Sequence, residues 1–129
     1  MTTQSTDHLR LYTSAVAAGM RALAACKPEP MVIGSAVGLS NRIDTTQPIY
    51  IVDDGACGFA WVNVKPGNSA FAKWLVKNGH ARKDSYYGGV TVWVTEGGQS
   101  IGKKEAYANV FARVLTDAGI RAYAASRLD

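Results

Sequence analysis

Between Gly58 and Thr95 the hydrophobic pattern switches from strict alternation to helical spacing and back, and this stretch constrains the fold most. In its first run Phe59, Trp61 and Asn63 share one face while Ala60, Val62 and Val64 share the other, as a strand demands. Pro66-Gly67-Asn68-Ser69 ends that strand and offers Asn68 or Ser69 as a helix cap. The helix that follows carries Phe71, Trp74 and Leu75 on one side, with Lys73 and Lys77 on the other. Gly79 stands where a left-handed residue closes a helix. Residues 80–95 then read as a hairpin about Gly88-Gly89. Its second strand sends Val90, Val92 and Val94 one way and Thr91, Trp93 and Thr95 the other. Phe59, Trp61, Phe71, Trp74 and Leu75 are expected to anchor the core.

The flanking segments extend this order. After EGGQSIGKKE (residues 96–105), Tyr107, Val110, Phe111, Val114, Leu115 and Ala118 form one apolar helical stripe. Gly119 ends it, and Ile120 stands ready for the contact of a Schellman motif. Residues 120–129 predict a closing strand, with Ile120, Ala122 and Ala124 inward and Arg121 and Tyr123 outward. From residue 57 the order is strand, helix, strand, strand, helix, strand. That is the split βαβ order of a ferredoxin-like sandwich, an α+β fold.

Upstream, residues 1–6 are polar and expected to be disordered. Residues 7–27 read as an N-terminal helix capped by Asp7, with Leu9, Tyr12, Val16, Met20 and Leu23 as its stripe, stopped by Pro28 and Pro30. Residues 31–39 read as an irregular strand or loop and residues 40–48 as a surface loop. Residues 49–64 read as a hairpin turning at Asp54-Gly55, which adds one strand to an α/β core spanning 49–129. Two helices cover one sheet face. Period alone leaves open whether the N-terminal helix covers the other, aromatic one.

A chain of 129 residues predicts a single domain, large enough to bury a core without a metal or disulfide staple. Cys26 and Cys57 suit a reducing cytoplasm, where thiols stay unpaired. The start MTTQSTDHLRLYT has no basic segment followed by an apolar run, and no stretch approaches the roughly 20 apolar residues that span a bilayer. A soluble, cytoplasmic protein is expected. A net charge of +4 favours an acidic partner such as nucleic acid, a nucleotide or an acidic protein face.

Several motifs invite chemistry. Gly97 to Lys104 match G-x-x-x-x-G-K between a strand and a helix, where a phosphate-binding loop belongs. Lys104, however, stands where a serine or threonine should hold magnesium, and the later chain offers no second metal-holding strand. A weaker reading survives, an anion held by free amides with Lys103 and Lys104 beside them. The plainer reading is a flexible loop with solvated lysines. His80, Asp84 and Cys57 could assemble as base, orienter and nucleophile, but no spacing requires it. Asp53-Asp54 suits turn chemistry better than paired carboxylates. With no C-x-x-C or H-x-x-x-H, no metal or other cofactor is expected.

Cations interleaved with aromatics fit single-stranded nucleic acid, where rings stack on bases and charges follow phosphates. The candidate contacts are Lys73, Lys77, Arg82, Lys83, Tyr86, Tyr87, Trp93, Lys103 and Lys104. A ferredoxin-like sheet also carries one large class of RNA-binding domains. YYGGVTVWV departs from the aromatic signature strand of that class.

At CGFAWVNVKPGNSAFAKWL, ARKDSYYGGVTVWV and KKEAYANVFARVLTDAGIRAYAASRLD the chain resembles a family of small proteins encoded by tailed bacteriophages and prophages. The resemblance covers roughly residues 47–129 and brings no known active site. It implies a viral accessory protein acting in a bacterial cytoplasm. The expected function is therefore non-enzymatic binding of an anionic partner, nucleic acid or nucleotide. The alternatives are an inhibitor that binds a host or defence protein through a sheet edge or aromatic patch, and a small cytoplasmic enzyme.

Overall fold

The computed structural model describes residues 3–27, 31–33, 50–52 and 55–128. In chain order these form α1 (Thr3–Ala25), β1 (Met31–Ile33), β2 (Tyr50–Val52), β3 (Gly58–Lys65), α2 (Ala70–Lys77), β4 (Arg82–Lys83), β5 (Val90–Trp93), α3 (Ile101–Asp117) and β6 (Arg121–Leu128). β3 lies inside a four-stranded antiparallel sheet ordered β4-β5-β3-β6. Renumbered within this sheet from β3 onward, the order is 2-3-1-4, so the α+β core is ferredoxin-like as its element order predicts.

Alternation decides which face is dry. Ala60, Val62 and Val64 of β3, Val90 and Val92 of β5, and Ala122 of β6 are buried against the helices. α2 meets them with Phe71, Ala72 and Leu75, and α3 with Tyr107, Ala108, Phe111 and Leu115. The helix ends follow the local code. The Ser69 hydroxyl accepts from the Ala72 amide at 3.3 Å, and Ser100 does the same for Lys103 at 3.3 Å. Gly79 and Gly119, at φ of 78° and 88°, each close a Schellman motif. There His80 N–H donates to Leu75 O at 2.8 Å, and Ile120 N–H to Leu115 O at 2.9 Å.

Three expectations change. The N-terminal helix begins at Thr3, so part of the stretch expected to be disordered is helical and Asp7 lies inside the helix, not at its cap. None of the polar residues before Asp7 is a helix breaker. The hairpin about Asp54-Gly55 does not form: β2 pairs with β1, joining Ile33 to Tyr50 and Met31 to Val52. β3 has β5 on one edge and an eight-residue register with β6 on the other, which leaves no edge for β2. Asp53, Asp54 and the loop expected at 40–48 lie outside the described residues. Finally, the second hairpin turns through six residues, Asp84 to Gly89, and not through Gly88-Gly89 alone. Asp84 N–H donates to Gly89 O at 3.1 Å and Gly88 N–H to Asp84 O at 3.1 Å, which places Tyr86 and Tyr87 on a loop tip.

α1 packs mainly on α3 and also touches α2. Tyr12 meets Phe111 edge-on at 6.0 Å and stacks on His80 at 4.1 Å, while His8 lies 5.5 Å from Phe71. Gly19 presses so close to Tyr107 that an added Cβ would come within 2.9 Å of its ring. α1 is thus a further layer on the helical side. Among the described residues, no helix lies on the second face of the sheet.

Candidate nucleic-acid interface

That uncovered face gathers the side chains that alternation turned away from the helices. β3 contributes Phe59, Trp61, Asn63 and Lys65; β5 contributes Thr91 and Trp93; β6 contributes Arg121, Tyr123 and Arg127; β4 contributes Arg82. Trp61 and Trp93 are cross-strand partners with ring centroids 5.1 Å apart and planes tilted by 49°. The Arg127 guanidinium lies 5.6 Å from the centre of the Phe59 ring. Trp93 is 49% exposed and Tyr123 52%, values far from those of core aromatics.

The Asp84–Gly89 loop folds over this face and is pinned by two polar strand residues. Asn63 and Thr91 face each other across β3 and β5 and are both buried, an unusual place for polar side chains. The Asn63 amide nitrogen donates to Gly88 O at 2.9 Å, and the Thr91 hydroxyl to Asp84 Oδ2 at 2.7 Å. Asp84 Oδ1 accepts from the Tyr86 and Tyr87 amides, each at 2.9 Å. The Tyr87 amide, then the Thr91 hydroxyl, hold the Asp84 carboxyl below the usual carboxylate range, with smaller help from the Tyr86 amide and from Lys65. The carboxylate is consumed in holding the loop, so the charge this face offers a ligand is basic.

Two hollows result. One, of about 450 Å³, is lined by Trp61, Trp93, Tyr86, Tyr87, Asp84 and Arg127. The other, of about 350 Å³, is lined by Trp61, Asn63, Lys65, Tyr87, Tyr123, Ala125, Ser126 and Arg127. They share Trp61, Tyr87 and Arg127 and so lie side by side. Each has aromatic walls and a cation, the pairing that suits a base and its phosphate.

The structure divides the nine candidate contacts. Arg82, Tyr86, Tyr87 and Trp93 lie on or over the open face. Lys73 and Lys83 meet elsewhere, in a hollow of about 550 Å³ with Asn68, Ser85 and Gly89. Lys77 is exposed in the last turn of α2. Lys103 is half-buried in the first turn of α3. Lys104 is buried, its ammonium donating to Gly58 O at 3.2 Å and lying 5.5 Å from the Phe59 ring.

The glycine turn before α3 is occupied by the chain itself. Ile101 N–H donates to Ala56 O at 3.0 Å, Lys103 N–H goes to the Ser100 hydroxyl, and Lys104 serves Gly58. These groups hold the start of α3 to the entry of β3, which is a structural use of a phosphate-loop pattern. His80 lies 5.4 Å from Trp74 and stacks on Tyr12, while Asp84 serves the tyrosine loop, so neither is placed for the triad considered above. Among the described residues no group of histidine, cysteine or acidic side chains could hold a metal ion. No described helix is long and apolar enough to cross a membrane.

Phe59 and Trp61, expected in the core, are on the open face instead. Trp61, Tyr123 and Arg127 join this candidate surface although they are not among the nine candidate contacts; the outward alternation of residues 120–129 already points Tyr123 away from the core. What sequence lacked was the register that sets β6 beside β3. No protein-family model matches the chain, and neither a curated protein nor a solved structure matches it.

Proposed function

We propose that this chain is a non-enzymatic accessory protein of the tailed-phage type that binds single-stranded nucleic acid across the open sheet face, in the bacterial cytoplasm. The observation that carries the reading is the row of exposed Trp93, Tyr87 and Tyr123 with half-buried Trp61, set among Arg82, Lys65, Arg121 and Arg127 on a sheet face that no described helix covers. Rings with free faces stack on bases of any sequence, at roughly 1–3 kcal/mol per base. Lys73 and Lys83, which meet in a separate hollow, are not part of this row.

A labelled 12-nucleotide single strand, titrated at rising salt, tests this. Four phosphates met by the four cations of the face predict a slope of log K against log salt near −3, about 50-fold weaker binding between 50 and 200 mM. Absence of binding at 50 mM salt overturns the proposal. One observation favours the inhibitor reading instead: β6, eight residues long, is an outer strand of its sheet and could accept a strand from a partner protein. A nuclease-resistant complex recovered from host lysate, with no affinity for single strands, would establish that alternative.

A further inference from the structure

Asn63 is 94% buried beneath the Asp84–Gly89 loop, and among the described residues half of its amide has no partner. Its nitrogen is committed to the Gly88 carbonyl at 2.9 Å. A carbonyl only accepts, so this contact fixes which end of the amide is nitrogen and leaves Oδ1 as the spare group. Among the described residues Oδ1 has no hydrogen-bond donor and less than 1 Å² of accessible surface. A buried acceptor without a donor is rare in native proteins and marks a place where something else completes the site. Here Asn63 belongs to the lining of the 350 Å³ hollow, between Trp61, Tyr87 and Tyr123.

We propose that this hollow is a base subsite selecting nucleobases that carry an exocyclic amine, read by Asn63 Oδ1. The inference rests on the nucleic-acid reading above and names what that face recognises. A base entering between the rings stacks first and shifts Tyr87 or Tyr123, both more than half exposed. Side chains that exposed change rotamer within nanoseconds. The amine of cytosine or adenine then supplies the missing donor. The corresponding edge of uracil carries a carbonyl, and two acceptors facing each other repel. Lys65 and Arg127, at the rim of the same hollow, are placed for the phosphates on either side. The neighbouring 450 Å³ hollow shares Trp61 and Tyr87 but does not include Asn63, so it takes the adjacent base without this selection.

The test compares deoxycytidine and deoxyuridine 12-mers, equal in length, charge and ring size, by fluorescence anisotropy in 50 mM salt. The expected result is roughly tenfold tighter binding of the cytidine strand, the scale of one satisfied buried acceptor. Asn63→Ala should bring the two strands to equal affinity. Because that change also frees Gly88, the wild-type protein is tested in parallel with adenine replaced by unsubstituted purine, which keeps the stacking and removes the amine. Equal binding of the cytidine and uridine strands, or of the adenine and purine strands, overturns the inference while the strand-binding reading stands. Binding of neither strand overturns both. Free cytidine monophosphate competing as well as the 12-mer would keep the amine selection and overturn the strand.

Discussion

Replacing Trp93 by alanine separates a binding surface from a core. Trp93 is 49% exposed, so it keeps about half of the roughly 200 Å² that an aromatic side chain can bury. At about 25 cal/mol per Å² that contact is worth about 2.5 kcal/mol as an upper bound, and alanine retains part of it. The expected stability loss is therefore about 1–2 kcal/mol, below the roughly 3–5 kcal/mol of a buried Phe71→Ala. Binding should suffer differently. Loss of one stacking ring predicts an affinity drop of about 5- to 150-fold, from roughly 1–3 kcal/mol per base. Urea unfolding measures the first quantity and anisotropy of a labelled 12-mer the second. Leu11→Ala is the control: Leu11 of α1 is half-buried against the core on the helical side with Tyr12, Val16 and Leu23, whereas Leu9 and Met20 of the expected stripe are exposed, so the change should lose comparable stability and no affinity. If Leu11→Ala weakens binding as much as Trp93→Ala does, binding follows stability and the open face is not the site.

Lys104→Met should cost about 2 kcal/mol in urea unfolding, the scale of a charged hydrogen bond, and leave both affinity and salt slope unchanged, because the amine serves Gly58; a changed salt slope would return Lys104 to the binding surface. Gly58→Ala should destabilise far more than an ordinary surface change, since its Cβ would meet the Arg127 backbone carbonyl and the Ile101 side chain, each at 2.6 Å. Retained thermal stability in that variant would contradict the β3–β6 register. The Asp84 carboxyl is lowered in the folded protein, so its hold on the loop is present above the ordinary carboxylate range and is lost as pH falls through the lowered value. The Tyr86 and Tyr87 amide resonances should therefore stay in place at mildly acidic pH and move only below that range, and Asp84→Asn should abolish the transition.

Much of the local structure was legible because its code is local. Ser69, Gly79, Gly119 and Ile120 act where a helix cap or stop is expected, since capping involves only neighbours in sequence. The alternation of β3, β5 and β6 likewise named the two faces of each strand. Gly88-Gly89 misled, because the Asp84 side chain offers the Tyr86 and Tyr87 amides a competing turn. Asp54-Gly55 misled for a different reason: β2 found its partner upstream in β1, and β3 had both edges filled from downstream.

By itself, then, the sequence determined the order of strands and helices from residue 57, their caps, and which side chains of each strand point the same way. Only tertiary structure decided which strands are neighbours and on which side α1 lies. Trp61, Trp93 and Tyr123 each alternate outward on separate strands, but they become one surface only when β5 and β6 pair with β3 in register. α1 could have buried that surface; its contacts with Tyr107, Phe111 and Trp74 hold it on the opposite side. Period is a property of one segment, whereas a site on a sheet is a property of how segments align, and alignment is set by long-range packing.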